Sequence, residues 1–232
     1  MTSIELLVER QLNKYALRER AESRSAAEPA PAQSRLRVIT ISRQSGSGGH
    51  TLATRLAEAL GFECIDRQIL DYIAKSANAR RRLIASLDER TRPGVDLWVE
   101  GILRGRYVDQ SEYVHWLVKS VTAMAEHGDA VILGRGGNVI LGTRGALHVR
   151  IVAPRDVRIA NLVNHRGMSL ADARQWVEES DLQRRKFHWE NFRADIDNPE
   201  DYDLMINTGT STLAEAEAVI LELWGRRMTA RQ

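Results

Sequence analysis

The sequence predicts an α/β fold, an open and mostly parallel sheet of about five strands with helices on both faces. Apolar, β-branched runs alternate with amphipathic helical stretches along residues 36–227. The first of these runs empties into a glycine-rich turn with a helix directly behind it, "TISRQSGSGGHTLATRLAEALGF" at 40–62. The length, 232 residues, suits one well-buried α/β domain with an appendage.

The appendage comes first. Residues 1–21 read as a helix with Ile4, Leu7, Val8, Leu12, Tyr15 and Ala16 along one face. Residues 22–35, "ESRSAAEPAPAQSR" from Glu22, read as a flexible linker of small residues and prolines. The apolar stripe is expected to cover the domain's own surface or to join a second subunit as a homo-oligomer; the third option is a poorly ordered tail.

The domain is expected over 36–228. "LRVITIS" (36–42) is a buried strand, and "HTLATRLAEALG" (50–61) a helix stopped by Gly61. "FECID" (62–66) is the next strand. Residues 67–127 are mostly helical with a break near Arg92-Pro93-Gly94, anchored by Trp98, Leu103, Tyr113, Trp116 and Leu117. "AVILGRGGNVIL" (130–141) runs from strand through glycine turn to short helix. "ALHVRIVA" (146–153) is a strand, and Pro154 opens the following helix. Residues 169–193 form a charged, arginine-dense helix, "YDLMINT" (202–208) the last strand and "STLAEAEAVILELWGRR" (211–227) the last helix.

Composition narrows the function classes. Lys+Arg 33 against Asp+Glu 31 gives a net charge of +2, so no nucleic-acid partner is expected from bulk charge. The basic residues are nearly all arginine, which suits bidentate phosphate binding, although a compositional bias gives the same pattern. The single cysteine, Cys64, reads as a small core residue and forbids a disulfide framework. No stretch reaches membrane-spanning length and no signal-peptide core opens the chain, so a cytoplasmic protein without a membrane partner is expected.

The glycine turn has the layout of a P-loop with its lysine missing. Aligned on Gly-x4-Gly-Lys-Ser/Thr, Gly48 matches the second glycine, Gly49 stands at the lysine and Arg43 replaces the first glycine. Gly46, Gly48 and Gly49, with Ser45 and Ser47 between and before them, offer successive backbone N–H groups as an anion-binding concavity at a helix N-terminus. That part of phosphate binding needs no lysine. His50 and Arg43 are the nearest replacements for its charge, and Thr51 is placed to ligate Mg2+ or to cap the helix.

Other candidates lie at strand ends, where α/β ligands bind. Asp66, beside Arg67, is placed to hold Mg2+ or a ribose, or else caps the next helix. Arg135 sits in a glycine turn as a phosphate or base contact. Arg158, Arg184 and Arg185 could close over a transferring phosphoryl group. The histidines show no metal-ligand spacing, and His165, His188 and the tryptophans read as packing or surface residues.

Together these segments resemble the cytidylate-kinase-like proteins, a divergent branch of the P-loop nucleoside-monophosphate kinases. "ISRQSGSGGH" is similar to the branch's loop, with His50 where arginine is more usual, and "GFECIDRQIL" to its second strand. "VILGRGGNVIL" resembles the segment whose Gly-Arg-Asp contacts the nucleoside monophosphate; Arg135 is kept and Gly136 replaces the Asp. "EESDLQRRK" resembles the lid, with Asp181 and Arg184 on family positions. The resemblance covers 36–222. It implies a three-layer P-loop NTPase fold with a helical lid at about 168–193, and transfer of the γ-phosphoryl of ATP, with Mg2+, to a nucleoside monophosphate such as CMP or dCMP. Arg158, Asp181, Arg184 and Arg185 would act on the transferring group, and Asp66, Arg67 and Arg135 on the acceptor. A nucleotide-binding regulatory protein with little turnover, or a kinase for another small phosphoacceptor, are the alternatives.

Overall fold

In the computed structural model, residues 2–24, 36–89, 91–105 and 111–229 are described. Most of the expected linker, 25–35, lies outside them. Five strands, β1 (Val38–Arg43), β2 (Glu63–Ile65), β3 (Ala130–Leu133), β4 (Leu147–Val152) and β5 (Leu204–Asn207), form one sheet in the order β2-β3-β1-β4-β5. Every pairing is parallel. With the glycine turn between β1 and the next helix, this is the three-layer P-loop fold, and it brings β1 to the centre with its carboxyl end facing the ligand edge.

Strands β1, β2 and β3 split their residues between two cores. Ile39 and Ile41 of β1 and Leu147, Val149 and Ile151 of β4 pack against helices α2 (Gly49–Leu60) and α10 (Leu213–Thr229), through Leu52, Leu56, Ile220 and Trp224. The other face carries α3 (Arg67–Lys75), α4 (Ala77–Ala85), α5 (Arg92–Gly105), α6 (Glu112–His127) and α7 (Gly137–Leu141), and Val38, Ile65, Ala130 and Ile132 look into that layer. Helices α8 (Arg155–Arg166) and α9 (Leu170–Phe192) pack on each other around Ile159, Leu162, Ala173 and Val177 beyond β4.

Local signals explain most boundaries. Gly61 ends α2 in the left-handed conformation at φ 66°. Asp66, Ser76, Ser111 and Ser169 cap α3, α4, α6 and α9 through their side-chain oxygens. The expected break near Arg92-Pro93-Gly94 falls just before it, since α5 begins at Arg92 and Pro93 occupies a first-turn position that needs no donor. Cys64 is half-buried, a free thiol that burial pushes up to about 11.

The N-terminal helix α1 runs Ser3–Arg24 and lies on α3 and α4. Val8, Leu12 and Tyr15 are buried in the core of that layer, while Leu7, placed on the stripe by periodicity, is 46% exposed and Gln11 takes a buried position instead. Lys14–Glu63, Arg82–Glu9 and Arg18–Asp129 ion pairs tie the rim. Of the options the sequence left open, the chain uses its own domain as the cover for this stripe.

Tyr15 stacks on His127 with ring centroids 4.0 Å apart, and His127 Nε2 meets Ser86 Oγ at 2.9 Å. Burial pushes His127 down to about 4, and burial with Arg150 nearby does the same to His188. Both rings are therefore neutral in the folded chain at pH values where the unfolded chain takes up protons, so stability falls as pH drops from about 6.5 toward 4. We expect the urea midpoint to decline between pH 6.5 and 5, above the carboxylate range. His127→Phe, which keeps an aromatic ring on Tyr15, should flatten that decline; an unaltered slope would mean that His127 is not held neutral.

Candidate functional site

The loop between β1 and α2 is fixed from several sides. Ser47 Oγ donates to the Gln44 carbonyl at 2.9 Å, Thr208 Oγ1 donates to the Ser47 carbonyl at 2.9 Å, and Gln44 Oε1 accepts from the Ala153 N–H at 3.1 Å. Asn161 Nδ2 donates to the Gly46 carbonyl at 2.9 Å. Gly46 has φ +79°, and a Cβ there would run into the Arg158 carbonyl, so glycine is demanded both by conformation and by the approach of α8. Gly48 (φ +78°) is the N-cap of α2 and offers no side chain to the helix amides. The first-turn N–H groups are thus left for an anion. Thr51 and His50 are exposed on the first turn of α2, and the capping role considered for Thr51 is not the one it has.

α9 lies across this loop. The Asp181 carboxylate accepts from the Ser45 N–H at 3.0 Å and pairs with Arg158. Arg158 in turn donates from Nε to the Ala153 carbonyl at 2.9 Å and from Nη1 to the Ser45 carbonyl at 3.3 Å. One turn along α9, Arg184 Nη1 donates to the Arg43 carbonyl at 2.9 Å and stands 3.7 Å from Asp181. Arg43, Gln44, Arg150, Asp181, Arg184 and Arg185 line a small open cleft, completed by Ile196 and Asp197. Burial holds the Arg43 and Arg184 guanidinium groups below their ordinary range; Arg184 adds to the effect on Arg43, whereas Asp181 opposes it at Arg184. Such a lining favours an anion.

A second group of charged residues, on α3 and in the turn before α7, lies in the electrostatic surroundings of Arg43. Asp66 spends Oδ1 on the Gln68 and Ile69 N–H groups, at 2.9 and 3.1 Å. Arg67 is exposed and reaches Asp71 at 3.5 Å. Arg135, in a left-handed turn at φ 53°, donates from Nε to Asp71 Oδ1 at 2.6 Å and makes a second bond to Oδ2. Tyr113 donates to the same carboxylate at 2.7 Å, and the Phe187 ring lies 4.4 Å from the guanidinium carbon. Burial works against charge on Asp71, but the Arg135 and Tyr113 bonds outweigh it and hold the carboxyl below the ordinary range. Gly136 has φ +71°, and a Cβ there would strike the Phe192 ring. An aspartate in that position has no room.

The structure therefore gathers Arg43, Ser45, Gly46, Asp181, Arg158, Arg184 and Arg185 around one cleft, with Arg135 turned onto Asp71 beside it. Arg150, Asp71 and Asp197 were not singled out by sequence. Arg150 is 2% exposed, donates from Nη1 to Ser42 Oγ at 2.7 Å and pairs with Asp197. Its signal was the alternation of "LHVRIV", which puts His148 and Arg150 on one face of an otherwise apolar strand. Asp71 was readable as the residue four places after Arg67, on the same helix face; Asp197, in a loop, left no signal.

Gly136→Asp should not be accommodated. Left-handed strain and the Phe192 ring together predict a loss of about 2 kcal/mol or more in stability, read as a lower thermal midpoint. An unchanged midpoint would overturn this account of the turn.

A model of the cytidylate kinase-like family matches residues 38–210. The cytidylate kinase of Archaeoglobus fulgidus is 28% identical over 185 residues, covering 78% of this chain and 89% of that protein. A uronate isomerase of Corynebacterium glutamicum matches more locally, at 31% over 98 residues, so the chain spans 42% of itself and only 19% of that protein. Among solved structures, an uncharacterized protein from Eubacterium ventriosum superposes with a TM-score of 0.63 at 20% identity, over 82% of this chain and 98% of that one, a likeness of fold. No helix among the described residues is long and apolar enough to cross a membrane, and no cluster of three or more His, Cys, Asp or Glu residues among them is arranged to hold a metal ion.

Proposed function

The chain belongs to the cytidylate kinase-like family, and we propose that it transfers the γ-phosphoryl group of ATP to a nucleoside monophosphate, CMP or dCMP. The observation that carries this reading is the docking of α9 on the glycine loop, which places Arg184 and Arg185 in the same cleft as Arg43. Phosphoryl transfer asks the protein for positioning and for cations around the equatorial oxygens, and little else.

In this reading the amides of Gly46, Gly48 and Gly49 hold the nucleotide phosphates and the N-terminus of α2 adds partial positive charge; the Ser45 and Ser47 N–H groups, expected to join them, are taken by Asp181 and by the Gln44 carbonyl. Arg184 and Arg185 neutralise the group in transfer. Arg158 and Asp181 position the loop against the lid. Arg135, Asp66 and Arg67 face the acceptor. For Mg2+, the hard oxygen donors present fit: the exposed Thr51 hydroxyl, and Asp66 Oδ2, since both of its capping bonds fall on Oδ1. When bound, the ion would shield the phosphate oxygens. A cytoplasmic enzyme acting without nucleic acid or membrane is the reading that the composition supports.

One observation favours the second reading, a nucleotide-binding regulatory protein with little turnover. Arg135, which would hold the acceptor phosphate, is already neutralised by Asp71.

An ADP-release assay across a panel of nucleoside monophosphates separates the two. CMP or dCMP should give the highest turnover, and Arg184→Ala should lower it by about 10³-fold while leaving Mg-ATP affinity nearly unchanged. ATP binding without release of ADP for any acceptor would establish the regulatory reading instead.

A further inference from the structure

Gly49 stands where a P-loop carries its lysine, yet its backbone does not call for glycine. It is the first residue of α2 and is absent from the glycines with positive φ. What excludes a side chain is space. A Cβ at Gly49 would lie 2.6 Å from Arg43 Cβ and 3.1 Å from Arg43 Cγ. Those distances are below any ordinary carbon–carbon contact, so the Arg43 stem fills the room that a side chain at position 49 would need.

The other end of Arg43 meets a second glycine. Its Nη1 lies in the space a Cβ on Gly134 would take, and Gly134 follows β3 with φ +82°. Arg43 thus runs from the start of α2 across the carboxyl ends of β1 and β3, between two positions that each lack a side chain. The charged groups around its guanidinium are Arg184, Asp66, Arg135 and Arg67. None of the carboxylates among the described residues forms an ion pair with it, although Arg43 is half-buried and lines the cleft. Arg135 is neutralised by Asp71, and Arg158 by Asp181. A guanidinium in such surroundings gains most from an anion supplied by a ligand.

We propose that Arg43 is the cation that replaces the missing lysine, and that it binds the terminal phosphate oxygens of the bound nucleotide from the strand side of the loop. This rests on the phosphoryl-transfer reading for the identity of the ligand, but not for the exclusion between positions 43 and 49, which is a property of the packing. An arginine at 43 and a lysine at 49 compete for one space. A chain with glycine at 43 and lysine at 49 would satisfy the same need by the usual route. His50 is exposed on the first turn of α2.

Four variants test this, with inorganic tripolyphosphate as the calorimetric probe and thermal unfolding as a second readout. Arg43→Met keeps most of the stem and removes the charge, and should weaken tripolyphosphate binding by about 10- to 100-fold with little change in thermal midpoint. Gly49→Lys alone should lower the midpoint. Arg43→Gly alone should lose the affinity, and the double variant Arg43→Gly/Gly49→Lys should recover both the affinity and the midpoint relative to the single variants. Wild-type affinity in Arg43→Met, no binding of the probe by the wild type, or a Gly49→Lys chain as stable as wild type would each overturn the proposal. If the probe binds through Arg43 but no acceptor is phosphorylated, the proposal stands and the kinase reading fails.

Discussion

The Arg158–Asp181 pair joins the parts of the site that would otherwise be independent. Its side chains are 8% and 11% exposed, and it touches the loop through both partners: Asp181 on the Ser45 N–H, Arg158 on the Ser45 carbonyl. Removing one member of so buried a pair strands a charge, which typically costs 3–5 kcal/mol, about the scale at which a local contact becomes a determinant of the whole arrangement. The pair also sets where α9 lies. Arg184 is one helical turn from Asp181, so fixing Asp181 against the loop delivers Arg184 to the Arg43 carbonyl. Helix α9, the glycine loop and α8 are therefore one electrostatic unit.

The sheet contributes a second polar layer beneath that unit. On β4, His148 and Arg150 alternate with Leu147, Val149 and Ile151, and the register puts them beside Thr40 and Ser42 of β1. Thr40 Oγ1 meets His148 Nδ1 at 2.7 Å, and His148 Nε2 meets the Gly142 carbonyl at 2.8 Å. Arg150 spans from Ser42 to Asp197 under the ring of Tyr202. Buried polar groups survive in a sheet when they are bonded in this way. Here they link the central strands to the segment that follows α9, so the end of α9 is tied to the sheet as its middle is tied to the loop.

Much of the fold was legible because its signals are local. β-Branched runs mark the strands, Gly61 and Ser169 mark helix ends, and the glycine turn marks the ligand edge. Clustering Arg43, Arg158, Asp181, Arg184 and Arg185 at one site was also legible, through their places in recognisable segments. What the sequence did not carry was the direction of long side chains. Periodicity places Leu7 on the stripe of α1, but the docking angle on α3 and α4 buries Gln11 and exposes Leu7. Arg135 was readable as a turn residue, whereas its partner Asp71 lies 64 positions away and is brought near only by the packing of α3 against the turn. The placement of the Arg43 stem beside Gly49 depends likewise on the twist of one strand end against one helix start.

The turn at Arg135-Gly136 shows how such packing can rewrite a motif without breaking the fold. Phe192 occupies the space beside Gly136, Phe187 covers Arg135, and both rings come from α9. They pack edge-to-face on each other, with centroids 5.9 Å apart. An aromatic pair of that kind has a preferred geometry worth about 1 kcal/mol beyond the area it buries. The glycine at 136 is therefore a consequence of where α9 puts its aromatic residues, and the arginine beside it has been given a carboxylate partner within the protein. The same helix that brings Arg184 to the glycine loop thus shapes the wall around Arg135, so the two sides are coupled through the seating of α9.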